Sequence, residues 1–444
     1  MIVDERVKAS MALYDRAGEL IPGRVQLVSR RASLFANGVS PVYAQRAKGS
    51  RFIDVDGNEY IDWVNCVSAV ILGHADPVVD GAVKEQIDRG SLYTLNSPME
   101  IELADLLVET IPSAETVRYC KGGGEACAMA VRIARGTTGR DKILFSGYHG
   151  WHDWYQSVNY LADPETGAFP MTGIEPIGVP KALAGTALPF TYGRLDSLER
   201  LFAENRGEVA AVILEPLRSE RPPVGYLEGV REIAKANGSL LIFDEVSCGW
   251  RTRIGGIQEY TGVTPDMSVF AKAMSNGYPM GVVVGSRDAM ELAGRMFISS
   301  SYWSDNVGLA ASLATINELN RLDSPALFER IGERTRIAMR DAVDSAGVPA
   351  SVSGWHYRCD LSFGVPDEET RSKVNTLFIQ EMARRGIHTT TSLMPTLAHT
   401  NEDIRQTAGA AEEVFRMIVR ALDGELDSLL EVDTKREPFH RLVR

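Results

Sequence analysis

Five separated stretches of this 444-residue chain end an apolar run on groups capable of chemistry. "TVRYC" leads into Lys121-Gly-Gly-Gly, "KILFSG" into Tyr148-His149, and "VAAVIL" into Glu215-Pro216. "SLLIF" leads into Asp244-Glu245, and "DMSVFA" into Lys272. A lysine between an apolar run and a glycine-bearing turn, as in "VFAKAMSNGYPMG", serves as a solvated charge, a phosphate ligand or an amine for covalent chemistry. Among apolar groups and near another cation an amine loses proton affinity, because desolvation and like charge both oppose the ammonium form. It is then a nucleophile able to form an imine with an aldehyde. Asp244 follows four apolar residues, so its carboxylate belongs at the end of a buried strand. That placement is costly unless the carboxylate caps N–H groups or faces a cation such as a protonated ring nitrogen. "KGGGEA", between a strand and a helix, opens backbone N–H groups to an anion at the helix N-terminus. It is neither GxGxxG nor a Walker loop, which points away from a dinucleotide or ATP and toward a smaller phosphate ester. "HGWH" offers His149 and His152 as a metal pair, but no third ligand is apparent and no metal is expected.

The elements that must position these groups follow from periodicity. From about 77 to 300, strands alternate with helical segments such as "EACAMAVRIARG", in which Ala126, Met129, Ala130 and Ile133 share a face and Gly136 stands at the expected C-cap. This βαβ rhythm predicts an α/β fold with a large, mainly parallel sheet covered by helices on both faces. Ligands of such sheets collect beyond the carboxyl ends of the strands, where all five stretches converge. Upstream, a helix over about 3–20 stops at Pro22-Gly23, and "RFIDVDGNEYIDW" alternates around Asp56-Gly57 as a hairpin. The same Asp56-Gly57 segment lacks the remaining ligands of a calcium loop. Three regions are expected: an N-terminal helix and hairpin over 1–76, a large cofactor-binding α/β domain over 77–306, and a smaller α+β domain over 307–444.

Composition narrows the class. Hydrophobic residues at 44% and charged residues at 24% describe an ordinary globular chain. A net charge of −12 argues against nucleic acid and would suit a cationic substrate. No apolar stretch has the length to span a bilayer, and no h-region follows the acidic N-terminus. Five scattered cysteines without a CxxC read as reduced thiols, hence a cytoplasmic location.

A phosphate-cradling turn, a carboxylate for a pyridinium and an imine-forming lysine together specify pyridoxal 5′-phosphate. The motifs "GGGEA", "YHG", "FDEV" and "AKAMSNGYPMG" resemble those of the class III, fold type I pyridoxal-phosphate aminotransferases, over nearly the whole chain. Within that family the sequence is most similar to the glutamate-1-semialdehyde aminomutase branch, through "DVDGNEYIDWV", "GHADP" and "LAHTNEDI". The resemblance implies that Lys272 is the Schiff-base lysine and proton shuttle and that Asp244 pairs with the pyridinium nitrogen. It also implies Tyr148 and Val246 on the two ring faces, Gly123 and Gly124 on the phosphate, and Glu215 lining the site. His149 receives no role. A homodimer with its site at the interface is implied as well.

The departures bear on substrate. Gly124 replaces the family's phosphate-loop threonine, and Tyr302 in "SSSYWSDN" stands where a threonine crosses the dimer interface, leaving Ser300 or Ser301 to rebuild that contact. The aminomutase's carboxylate-binding arginine falls at Arg30 or Arg31, and "HTTTSLMPTLAHT" is shorter than the matching loop. The expectation is an aminotransferase that takes an amino group from an amino acid, glutamate first, to an aldehyde or ketone such as an aminosugar or other secondary metabolite. The alternative is an isomerase: an epimerase at an amine-bearing carbon or a 1,2-aminomutase.

Overall fold

A computed structural model describes residues 3–161, 171–172, 175–217, 219–355, 357–365, 367–435 and 440–441. The chain divides into two compact units: Met1–Asp76 with Ala326–Pro438, and Pro77–Pro325 with Phe439–Arg444.

The first unit begins with helix α1 (Lys8–Leu20) and three antiparallel strands, β1 (Ala44–Lys48), β2 (Arg51–Asp54) and β3 (Glu59–Asp62). The β2–β3 turn is the expected hairpin. Gly57 takes φ +91°, and Asp54 Oδ1 accepts hydrogen bonds from the backbone N–H groups of Asp56 and Asn58.

In the second unit α2 (Pro77–Arg89) and α3 (Pro98–Thr110) precede β4 (Thr116–Cys120), α4 (Gly123–Thr138), β5 (Lys142–Ser146) and β6 (Ala187–Pro189). Then come α5 (Leu195–Glu204), β7 (Val209–Leu214), α6 (Tyr226–Ala236), β8 (Leu240–Asp244), β9 (Met267–Phe270), β10 (Gly281–Gly285) and α7 (Asn306–Arg321). One seven-stranded sheet results, in the order β4-β10-β9-β8-β7-β5-β6. The run β9-β8-β7-β5-β6 is parallel, and β10 is antiparallel to both of its neighbours. All six residues of β7 and all four of β9 are buried, as apolar strands covered on both faces must be. The register pairs Ser146 with Leu214, Leu214 with Phe243, and Asp244 with Val269. The carboxyl ends of β5, β7, β8 and β9 therefore form one edge.

Two local expectations differ from the structure. Gly136 lies inside α4, which continues to Thr138 and ends on Gly139 at φ +66°. A β-carbon at Gly136 would come within 2.1 Å of Met296 Cε, so close packing explains that glycine. Helix α7, placed by the sequence reading at the head of the small lobe, clusters with the large unit because Leu309, Ala311, Ile316 and Leu319 are buried where it packs on α2 and α3.

The first unit resumes with α8 (Ser324–Ala346, from Ala326), β11 (Ala350–Ser353), β12 (Cys359–Phe363), α9 (Glu368–Arg384), β13 (Ile387–His388), β14 (Ser392–Leu393) and α10 (Asn401–Arg420). Strand β13 pairs in parallel with β3, which joins the N-terminal hairpin to the C-terminal part in one unit. Its core includes Trp63, Phe378 and Phe415, with the two phenylalanine rings stacked at 5.7 Å.

Candidate active site

The apolar run "LLIF" builds β8 and delivers Asp244 to its end, where the side chain is buried. Its carboxylate is held from three directions. Oδ1 accepts from the Val246 backbone N–H at 3.1 Å. Oδ2 lies 2.7 Å from His149 Nδ1 and 3.3 Å from Cys127 Sγ. Burial, with the Asp244 charge adding to it, pushes the Cys127 thiol well above its usual range, so it stays protonated and donates. Cys127, His149 and Asp244 bring three metal-ligating atoms within 4.8 Å of one another. They are hydrogen-bonded together, and a protonated thiol is not the thiolate that a metal takes. His149 and His152 face different partners: His149 turns to Asp244, whereas His152 lies beside Gly124.

Lys272 stands one residue beyond β9, after Ala271, and three residues past the Val269 that pairs with Asp244. It takes φ +49°, a left-handed conformation costing about 1–2 kcal/mol for a residue with a side chain. Such strain persists only where the surroundings fix it, and it gathers at functional positions. The Lys272 Nζ, partly buried, donates to Ser247 Oγ at 2.8 Å.

The glycine turn opens α4. Gly122 is the N-cap and provides no side-chain cap, which leaves the first-turn amides to a ligand. A β-carbon at Gly123 would lie 2.7 Å from Val246 Cγ1, so this turn and the residue after β8 pack in direct contact. Beyond β5, Gly147 takes φ +122° and brings Tyr148 to the same edge with its ring exposed. Glu215 Oε2 accepts from the Tyr148 backbone N–H at 3.1 Å and so holds that loop. Asp244, Val246, Lys272, Tyr148, Glu215 and Gly123 thus stand around one edge of one sheet.

Other candidates are placed differently. Lys121 forms an ion pair with Asp305, the N-cap of α7, and burial lowers its pKa to about 8. Ser301 and Tyr302 lie in an exposed turn before α7, and among the described residues no hydrogen bond links their side chains to the glycine turn. In the other unit, Arg30 lines a cavity of about 570 Å³ together with Val42, Phe52, Cys66, His74 and His388. Arg31 is not on that cavity, and its Nε is buried without a hydrogen-bond partner among the described residues.

Sequence reasoning missed three residues here: Ser247 beside the lysine, Cys127 on the aspartate, and the role of His149. Cys127 had a faint signal, since it stands next to Ala126 on the buried side of α4. Ser247 had none.

Glu245, adjacent to Asp244, is fully enclosed and accepts from the Ile257 backbone N–H at 2.7 Å and Gln258 Nε2 at 3.0 Å. Burial pushes its carboxyl from 4.5 up to about 7. Between those values the folded chain keeps a proton that the unfolded chain has lost. Its contribution to stability is therefore full below about pH 4.5, declines as pH rises, and is gone above about pH 7, a change of roughly 3 kcal/mol. Urea unfolding of wild type and Glu245→Gln at pH 5 and pH 8 checks this. The stability difference between the two proteins should shift in favour of the variant at the higher pH, and a constant difference would refute it.

The aminotransferase class-III family matches residues 34–415. The chain is 33% identical over 431 residues to a 3-aminobutyryl-CoA aminotransferase of Cloacimonas acidaminovorans, covering 94% of this chain and 99% of the relative. It is 34% identical over 432 residues to a glutamate-1-semialdehyde 2,1-aminomutase of Citrifermentans bemidjiense, covering 92% and 99%. The crystal structure of an omega-transaminase from Sphaerobacter thermophilus superposes with a TM-score of 0.82 at 29% identity, covering 92% of this chain and 97% of that one.

Proposed function

Because the chain belongs to the class-III aminotransferase family, we propose that the edge formed by Lys272, Asp244 and the glycine turn of α4 binds pyridoxal 5′-phosphate and moves an amino group from an amino-acid donor, glutamate first, to an aldehyde or ketone. Asp244 carries this reading: a buried carboxylate, fixed on both oxygens and placed in register beside the strand that delivers Lys272, suits a cationic ring nitrogen. The uncapped first turn of α4 fits the phosphate. Bound there, the cofactor supplies an aldehyde that takes up the amine and a ring that withdraws electrons from it.

The chain's own groups do the rest. Asp244 would keep the proton on the ring nitrogen, while His149 and Cys127 fix its Oδ2 by donating to it. Lys272 Nζ would hold the cofactor covalently and would move the proton at the substrate's amine-bearing carbon. Tyr148 and Val246 would hold the ring between them. Glu215 steadies the Tyr148 loop, and the amides of Gly123 and Gly124 hold the phosphate. Arg30 or Arg31 would engage a substrate carboxylate bidentately. Ser301 and Tyr302 would act on a second copy of the chain, and their exposure together with that of Phe297 supports a homodimer. Five unpaired cysteines support a cytoplasmic home, and among the described residues no helix is long and apolar enough to cross a membrane.

Gly123→Ala should weaken cofactor binding by about tenfold or more, since the new methyl must displace Val246. Spectral titration of the apoenzyme checks this, and an unchanged Kd would show that the turn does not touch the cofactor.

The acceptor is open to two chemistries. A carbonyl-bearing, cationic aminosugar suits the charge of −12, and the Cloacimonas relative's name suggests a β-oxo acyl compound, the carbonyl counterpart of a β-amino acyl one. The aminomutase relative supports the second reading, an isomerase that returns the amino group to the same molecule. The deciding experiment adds glutamate to the purified enzyme without an acceptor. Release of about one 2-oxoglutarate per site, with loss of the visible cofactor band, establishes the transfer. No oxo acid from any amino acid, with deuterium exchanged into a single amine substrate, would move the assignment to the isomerase.

A further inference from the structure

The turn at Gly124 carries no side-chain hydroxyl, and one neighbouring side chain borders the space that such a group would enter. A β-carbon built on Gly124 would lie 3.5 Å from His152 Cδ2 and 3.7 Å from His152 Nε2. It would also lie 3.5 Å from Gly150 Cα, and a β-carbon on Gly150 would in turn approach Gly124 Cα to 2.6 Å. The loop that follows β5 therefore packs backbone to backbone on the glycine turn and carries the His152 ring with it. His152 Nε2 is shut off from solvent and has no hydrogen-bond partner among the described residues. Buried ring nitrogens are seldom left unpaired, because a lost hydrogen bond to water is not replaced.

We propose that His152 Nε2–H donates to the phosphate of pyridoxal 5′-phosphate and supplies at this turn the side-chain hydrogen bond that Gly124 cannot. The inference rests on the use of the α4 N-terminus for the phosphate. The residue is well held for the task. Its carbonyl accepts from the Tyr155 and Gln156 backbone N–H groups at 2.9 and 3.1 Å, and its ring stacks on Trp151 at 4.7 Å. Burial lowers the pKa of the imidazole, so near neutral pH the ring is uncharged and carries one N–H for a single acceptor. His152 also accounts for the second histidine of "HGWH" without a metal.

The test compares two ligands that differ only in the phosphate. Apoenzyme is titrated with pyridoxal 5′-phosphate and with pyridoxal, and Kd is read from the absorption change. His152→Ala should raise Kd for pyridoxal 5′-phosphate by about tenfold, the size of one charge-assisted hydrogen bond, and change Kd for pyridoxal less than twofold. Adding Gly124→Thr to His152→Ala should recover part of the loss, and His152→Gln should keep part of the affinity through its amide N–H. An equal loss for both ligands would mean that the ring only supports the loop and would overturn the proposal, as would an unchanged Kd for pyridoxal 5′-phosphate. Failure of the wild-type chain to bind pyridoxal 5′-phosphate would overturn the cofactor site itself, a result distinguishable from either of these.

Discussion

Lys272→Ala loses turnover by about 10²–10⁴-fold from the missing proton transfer alone, and the covalent hold on the cofactor with it. Alanine has no nucleophile, and the nearest replacement, Ser247 Oγ, cannot form an imine. The fold should survive: Lys272 is only partly buried, and its hydrogen bond to Ser247 joins two side chains at the strand ends rather than in the core. Lys272→Arg makes the argument sharper. It restores a positive charge at the position but keeps a guanidinium that does not give up its proton, so it should be as inactive as alanine. Borohydride reduction followed by peptide mass analysis reads the covalent step without turnover. Wild type should carry the reduced cofactor on the peptide containing Lys272, and neither variant should carry it there. Multiple turnovers by Lys272→Ala would remove the central assignment.

Asp244→Asn is expected to lower the rate of amino transfer by about 10²–10³-fold, the range found when one electrostatic contact to developing charge is removed. The geometry adds a second penalty. Both carboxylate oxygens receive donors: the Val246 N–H on Oδ1, and His149 and Cys127 on Oδ2. An asparagine can offer an oxygen to only one side, so its own N–H₂ must point at a buried donor on the other. Leaving such groups mispaired costs about 1–3 kcal/mol of stability. The variant should therefore be slower and also less stable to urea, whereas Lys272→Ala loses activity with its stability nearly kept. Single-turnover rates with glutamate and urea midpoints measure the two effects. A rate within threefold of wild type would mean that Asp244 is a structural carboxylate and that the ring nitrogen is served elsewhere.

Much of the sheet was legible in the chain because a buried parallel strand is a local signal. "VAAVIL" and "MSVF" are apolar throughout, and such runs can only be covered on both faces. The antiparallel strand β10, "GVVVG", and the short β6, "ALP", were not singled out, since neither shows alternation or a flanking βα rhythm. Gly136 shows the limit of a local rule. A glycine near the end of a helical pattern suggests a cap, but the approach of Met296, 160 residues away, decided its use.

The site divides in the same way. The sequence by itself determined which residues end the strands, and so placed Tyr148, Glu215, Asp244 and Lys272 on one edge of a parallel sheet. It also determined the family, because the motifs carrying the resemblance are contiguous strings. Only the tertiary structure decided the partners. His149 and Cys127 reach Asp244 from 95 and 117 residues away, Ser247 meets Lys272 across two strands, and Lys121 is claimed by Asp305 from 184 residues away. The physical reason is one of range. Strand formation depends on near-neighbour periodicity, which a sequence displays. Pairing between side chains depends on crossover geometry and on which atom is left buried without a partner, and those are fixed only when the strands are laid side by side.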